Sequence, residues 1–244
     1  MNYHIVPAIL PKSFSEIRAK LGLIKGAADA VQIDIVDGKF ARNKTWPYVG
    51  DRGEFESLLK EKEGFPFWED FDFEFDLMIA KPAEAVGDFV RIGASRVIVH
   101  LESMEPDALS DLIHEWKHAV GIGLALKPST PISLLETFLH EVSFVQCMGN
   151  DKIGFQGITL DEEKVLPKLL KLRAKHPQLT IAVDIGVTFE TAPRLIKAGA
   201  NRLVAGSAIF GHANPAKALR QLKALFPGGE SGQTALMGSL KDIG

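Results

Sequence analysis

Short β-branched runs alternate with longer amphipathic stretches along most of the chain, and this alternation restricts the possible folds more than any other feature. Apolar runs bounded by turn residues place strands near Ile5 to Leu10, Ala30 to Ile35, Phe71 to Met78, Arg96 to Leu101, Gly123 to Leu126, Phe144 to Cys147, Thr180 to Asp184 and Arg202 to Ala205. Between them, "SFSEIRAKLGLI", "PAEAVGDFVRIG", "DALSDLIHEWKHAV", "DEEKVLPKLLKLRAKH", "TFETAPRLIKAG" and "NPAKALRQLKAL" carry apolar residues at helical spacing. Such alternation builds a parallel sheet covered by helices.

An internal echo favours closure of that sheet. "GAADAVQIDI" at Gly26, "GASRVIVHLE" at Gly93 and "GANRLVAGSA" at Gly199 each set a helix-ending glycine and a small residue before a strand. Their starts lie 67 and 106 residues apart, which fits two and three units of one strand and one helix. Eight such units fill most of the 244 residues, so the expected fold is an α/β chain in a (β/α)8 TIM barrel over residues 1–226. An open, doubly wound sheet is the structural alternative. The turn-rich tail 227–244 is expected beyond the barrel, either mobile or docked as a short helix through Ala235, Leu236 and Leu240.

Charge and cysteine content narrow the function. A net charge of -3 without a concentrated basic run gives no bulk attraction to nucleic acid or to an anionic membrane. No apolar run approaches the roughly 20 residues of a spanning helix. A single cysteine, Cys147, and an N-terminus without a signal-peptide pattern point to a reducing cytoplasm. Cys147 itself reads as a small buried residue.

Active sites of such barrels lie at the carboxyl ends of the strands. In "VQIDIVDGKF", Gln32 and Asp34 share one face of a strand that is otherwise Val31, Ile33 and Ile35, a pattern that needs a polar purpose. Asp76 and Met78, His100 and Glu102, Lys127, Met148, and Asp184 with Gly186 close later strands. "VAGSAIFG" sets Gly206 and Ser207 after the eighth strand, where open backbone N–H groups can face a phosphate, although the string also suits a plain turn. "GFQG", Gly154, Phe155, Gln156 and Gly157, offers a second glycine-rich edge. In "WEDFDFEFDLMI", Phe71, Phe73 and Phe75 are expected against helices, with Asp72, Glu74 and Asp76 on the opposite side. The remaining histidines show no metal-ligand spacing.

"PAIL", "VQIDIVDGKFARN", "FDLMIAKP", "VHLES", "LKPSTP", "GFQG", "VDIGV" and "VAGSAIFG" occur in an order that resembles the ribulose-phosphate 3-epimerases, over residues 5 to about 225. The resemblance implies inversion of the carbon beside the carbonyl of a ketose phosphate, most simply between ribulose 5-phosphate and xylulose 5-phosphate. It assigns Asp34 and Asp184 as the acid/base pair, and it assigns Ala8, Met78, Gly154, Phe155, Gln156, Gly157, Gly186, Gly206 and Ser207 to substrate and phosphate. It also implies a homo-oligomer and a divalent metal held by two aspartates and two histidines. Both histidines are replaced here, by Gln32 and by Asp76.

Three readings follow. Gln32, Asp34, Asp76 and Asp184 hold a cation, for which an all-oxygen set favours magnesium, manganese or calcium over the family's zinc. In the second reading no ion is bound and another group, such as Lys127, takes the charge. In the third the barrel is a non-catalytic sugar-phosphate binder. Two carboxylates 4 Å apart repel by ~4 kcal/mol at an effective dielectric near 20, so three together call for a cation, a shared proton or a lysine. A phosphosugar lyase of the D-x-K-x-x-D type is a different class, and "DIVDG" lacks its lysine.

Further departures from the family pattern are Ala8 for serine, Val36 for methionine and Ile185 for the first glycine of V-D-G-G. Asp37 and Asn43 match, Asp37 as either a turn former or a ligand contact. The aromatic stretch 43–71, with Trp46, Phe65, Phe67 and Trp68, is expected over the barrel mouth or against another subunit.

Overall fold

The computed structural model describes residues 2–227, so the tail expected beyond Pro227 lies outside the described residues. Eight parallel strands close on themselves in sequence order: β1 (His4–Ile9), β2 (Ala30–Val36), β3 (Asp72–Met78), β4 (Ala94–His100), β5 (Gly121–Leu126), β6 (Phe144–Met148), β7 (Ile181–Asp184) and β8 (Arg202–Ala205). The ring is completed by β1 against β8, with His4 opposite Arg202 and Pro7 opposite Ala205. Each expected strand is present within two residues of its predicted ends, and the open-sheet alternative falls with the closure.

The helices are α1 (Phe14–Ile24), α2 (Gly53–Leu59), α3 (Val86–Arg91), α4 (Pro106–Trp116), α5 (Glu162–Lys175), α6 (Ala192–Lys197), α7 (Ser207–Phe210) and α8 (Pro215–Lys223). Their starts follow from capping chemistry. Ser13 Oγ accepts the Glu16 N–H at 3.1 Å while the Glu16 carboxylate accepts the Lys12 N–H at 2.7 Å, a reciprocal cap that opens α1. Asn214 caps α8, with Pro215 in the first turn where its missing N–H costs nothing. The β5–β6 connection carries only a 3-10 turn at Ile132–Leu135.

Strand alternation divides the apolar residues into two cores. Val31, Ile33, Ile35, Phe73, Phe75, Val97 and Val99 point outward and pack beneath the helices. Val36, Met78, Ile98, Ala125, Phe144, Met148 and Ala182 fill the barrel interior with Val6, Ala8 and Val204. Gly123 is required there, because a Cβ would meet the Phe144 ring at 2.6 Å. The floor is sealed by Glu74, fully buried, which takes Arg96 Nη1 at 2.9 Å and pairs with Arg202. The barrel interior is thus a packed core, and the site lies toward the carboxyl ends of its strands.

The aromatic stretch 43–71 does not cover the mouth. Trp46 and Phe65 are buried in the outer core, stacked or edge-on against Phe14, Phe55, Phe73 and Phe75. Rings of this size bury more apolar area between strands and helices than they can over a polar opening. Phe67 packs edge-on against Phe71, and only Trp68 stands exposed.

Candidate active site

At the open end, β2 and β3 run in register with Asp34 opposite Asp76, and β7 brings Asp184 beside Met148. The inward period of each strand therefore gathers three carboxylates, one from each of three strands, with one oxygen from each all within 4.8 Å. Gln32, two residues before Asp34 on the same face, donates Nε2 to Asp34 Oδ1 at 2.8 Å and to Asp184 Oδ2 at 3.4 Å. The strand end is fixed by Thr45, whose hydroxyl donates to the Asp34 carbonyl and accepts the Val36 N–H, both at 2.8 Å.

Asp76 is fully buried and held from two sides. His100 Nε2 lies 2.9 Å from Oδ1, and Gln146 Nε2 donates to Oδ2 at 3.1 Å. His100 is thus a support for the cluster. Gln146 had no place among the sequence candidates, yet its signal was the same as that of Gln32: a lone amide on the inward face of "FVQCM". Glu102 accepts the Lys127 N–H at 2.8 Å and the Thr130 hydroxyl, so it ties loops together beside the site.

Electrostatics follows from this crowding. Burial, then the Asp184 and Asp76 charges, push the Asp34 carboxyl well above the usual range. Burial and Asp76 push Asp184 up to about 7, while the Ile185 N–H and Gln32 pull in the other direction. The carboxylate set gives its members reason to share protons or hold a cation. Its geometry suits a cation, because oxygens bound to one hard ion at about 2.0 to 2.6 Å lie within about 5 Å of each other. Gln32 Oε1 is buried without a partner among the described residues and offers a further oxygen. The residues present therefore fit a hard divalent ion better than one that selects nitrogen or sulfur.

A cavity of about 350 Å³ opens above the cluster. Asp34 and Asp184 line it, whereas Asp76 and Gln32 lie behind them, both 0% exposed. Ala8, Met78, Gly154, Phe155, Gln156, Gly157, Gly186, Gly206 and Ser207 all line the same space, so every residue expected at substrate or phosphate is brought together. Gly206 lets its turn pass close: a Cβ would sit 3.2 Å from both the Ala8 carbonyl and the Gln156 amide nitrogen. Asn43 donates to the Gly154 carbonyl at 2.8 Å and pins the glycine-rich loop over the mouth.

Other candidates resolve differently. Asp37 is a turn former: its carboxylate accepts the N–H groups of Lys39, Phe40 and Ala80. Lys127 stands with Nζ 4.8 Å from the Phe40 ring centroid and is not among the residues that line the cavity. Cys147 is buried on the outer side of β6, where burial pushes its thiol up to about 12. Ile185 has φ +75°, a left-handed conformation that costs a β-branched residue about 1 to 3 kcal/mol.

Comparison with known proteins gives this geometry a context. Residues 4–210 match the model of the ribulose-phosphate 3 epimerase family. The chain is 33% identical over 225 residues to a chloroplastic ribulose-5-phosphate-3-epimerase of Arabidopsis thaliana, covering 90% of this chain and 76% of that one. It is 32% identical over 225 residues to a ribulose-phosphate 3-epimerase of Bacillus subtilis, covering 90% and 97%. Among solved structures, a 3-hexulose-6-phosphate synthase from Salmonella typhimurium superposes with a TM-score of 0.65 at 17% identity, covering 91% of this chain and 97% of that one, a likeness of fold. No helix among the described residues is long and apolar enough to cross a membrane.

Proposed function

This chain belongs to the ribulose-phosphate 3-epimerase family, and from that premise we propose that it inverts the carbon beside the carbonyl of a ketose phosphate, ribulose 5-phosphate and xylulose 5-phosphate being the simplest pair. One observation carries the reading. Of the buried polar cluster, only Asp34 and Asp184 open onto the cavity, and the same cavity reaches the glycine turns at Gly186 and Gly206–Ser207.

Inversion through an enediolate needs one group to remove a proton and another to return it to the opposite face. Asp34 and Asp184 come from β2 and β7 and serve as that pair, exchanging roles with the direction of reaction. Both carboxyls are pushed upward by burial and by neighbouring carboxylates, and Asp184, at about 7, takes up and releases its proton near neutrality. Gln32 bridges them and holds their orientation. His100 and Gln146 fix Asp76, so that its charge stays behind the pair. The phosphate lies against the turns at Gly186 and Gly206–Ser207, where backbone N–H groups and the Gln156 amide supply donors. Ala8 and Met78 form the apolar wall beside the reacting carbons.

Gln32, Asp34, Asp76 and Asp184 are the residues that would hold a divalent ion, and when bound it would supply positive charge to stabilise the enediolate oxygen. Magnesium and manganese match the oxygen set better than zinc. The test is formation of xylulose 5-phosphate from ribulose 5-phosphate after chelation and after adding back magnesium, manganese or zinc. Turnover restored by an added ion supports the metal-assisted form, and turnover that persists after exhaustive chelation removes the ion from the proposal. No turnover under any condition overturns the proposed activity.

A further inference from the structure

We infer a second ligand site, separate from the proposed reaction cavity, where Arg42, Lys127 and Lys152 bind a small polyanion carrying a compact group of two or more negative charges. It requires neither the epimerisation nor the placement of substrate proposed above.

Three loops bring the cations together. Arg42 follows β2, Lys127 follows β5 and Lys152 follows β6, and all three line one cavity of about 470 Å³. Two of them stand at ring faces, Lys127 Nζ 4.8 Å from the Phe40 centroid and Lys152 Nζ 5.2 Å from that of Phe155. A ring holds a cation in place without neutralising it. Among the described residues none of the three forms an ion pair, whereas Arg194, the one basic side chain lining the reaction cavity, meets Glu162 at 3.1 Å and Glu190 at 3.5 Å. Asp151 is the only acid of the second cavity, and its carboxylate is committed elsewhere. Its Oδ1 accepts the Ser129 N–H at 3.0 Å and the Ser129 hydroxyl at 2.7 Å, while Oδ2 lies 3.3 Å from Lys164 Nζ. Three uncompensated cations thus share one cavity in a chain whose net charge is -3. They repel one another, and a polyanion placed between them removes that repulsion.

The walls give this charge a shape. Ala41 and Ile153 are buried at the base, with Phe40 and Phe155 beside them, and apolar walls strengthen a charge contact by excluding water. A volume of this size falls within the range of small-molecule sites and leaves room for an organic part attached to the charged group. Gly154 stands between the two cavities. A Cβ there would lie 3.2 Å from Ala41 Cβ and 3.3 Å from Val36 Cγ1, and the Gly154 carbonyl accepts the Asn43 amide at 2.8 Å, so the loop is packed against the end of β2. Phe155 alone lines both spaces. A polyanion and a sugar phosphate therefore occupy opposite sides of one loop.

Calorimetry at low ionic strength tests this, with pyrophosphate titrated after the reaction cavity has been saturated with a pentitol 5-phosphate as non-reacting analogue. The wild type is expected to bind pyrophosphate with the pentitol phosphate in place, and to bind inorganic phosphate more weakly. Arg42→Gln combined with Lys152→Gln changes two exposed side chains and is expected to lower pyrophosphate affinity at least tenfold, with pentitol phosphate affinity unchanged. Circular dichroism melts establish that the variant is folded, and Lys127→Gln alone is expected to lower pyrophosphate affinity about threefold or more. Citrate bound as well as pyrophosphate assigns the site to polyanions at large, and citrate left unbound assigns it to phosphates; both results support the inference. It is overturned by a wild type that binds no pyrophosphate, by unchanged affinity in the folded double variant, or by displacement of the pentitol phosphate one for one. Should the pentitol phosphate itself not bind, the proposed function loses its ligand, while the pyrophosphate affinities of wild type and double variant still decide this inference.

Discussion

Replacing Gln32 by methionine removes the amide that joins the two proposed proton carriers while nearly conserving side-chain volume. In the native site, Gln32 Nε2 donates to Asp34 Oδ1 at 2.8 Å and, at a weaker 3.4 Å, to Asp184 Oδ2. A buried hydrogen bond to a charged group contributes about 1.5 to 3 kcal/mol, and about 1.4 kcal/mol corresponds to one pH unit. The bond favours the ionised carboxylates, so its loss pushes both carboxyls further up from values already raised by burial and mutual repulsion. The acidic limb of the pH–rate profile, read as solvent deuterium uptake with ion content held fixed, is therefore expected to move up by about one unit. The rate at pH 7, close to the value of about 7 for Asp184, falls by about fivefold, and the rate at the new optimum changes much less. KM is expected to change little, because Gln32 does not line the cavity. Stability should fall by less than the bond's value, since methionine also removes the unpartnered Oε1. An acidic limb that stays in place in an active, folded variant refutes the assignment of Gln32 as the group that tunes the pair.

Three further outcomes follow from the same physics. Asp184 is pushed from 3.8 to about 7, so its ionised form opposes folding by up to about 4 kcal/mol above pH 7, and that cost vanishes below pH 4 where the carboxyl is neutral in both states. Asp184→Asn should accordingly stabilise the protein at pH 8 in the presence of chelator and leave it unchanged at pH 3.5, as measured by denaturant unfolding; a destabilised variant at pH 8 would contradict the reading. Glu74→Ala leaves Arg202, itself only 6% exposed, without its buried partner and should cost about 3 to 5 kcal/mol in the same assay, a loss that a merely exposed ion pair would not show. Gly149→Ala sets a Cβ against the Ile185 carbonyl and should lower the melting temperature and weaken binding of a pentitol phosphate, whereas an unchanged affinity would mean that the β6 and β7 loops are not locked together.

The strands were legible because buried parallel strands are written as short apolar runs, and the three glycine-led echoes marked the repeat. What escaped were elements too short for a periodic signal. The seven residues of α2 follow Arg52, which makes no side-chain cap, and α7 is a single turn after Gly206. That Trp46 and Phe65 pack in the outer core and not over the mouth was not legible, because composition shows that rings will be buried but not against which surface. Within the site, Asp34, Asp76 and Asp184 could be named from strand ends, and their convergence needed only the barrel's closure. Gln146 was missed because it lies inside its strand, two residues before the end that drew attention, though its inward amide was as anomalous as that of Gln32. The left-handed backbone at Ile185 has no sequence signature except a departure from glycine, and only the packing of Gly149 and Leu160 reveals why the turn is fixed.

The central claim is proton transfer by a pair of buried carboxylates, and NMR detection of solvent deuterium at the carbon beside the carbonyl of ribulose 5-phosphate tests it most directly. The account predicts deuterium incorporation together with formation of xylulose 5-phosphate by the wild type, and loss of epimer formation in both Asp34→Asn and Asp184→Asn while pentitol phosphate binding is retained. Undiminished epimer formation in either variant, or a wild type that binds the phosphate ligand and incorporates no deuterium with any added ion, would contradict it.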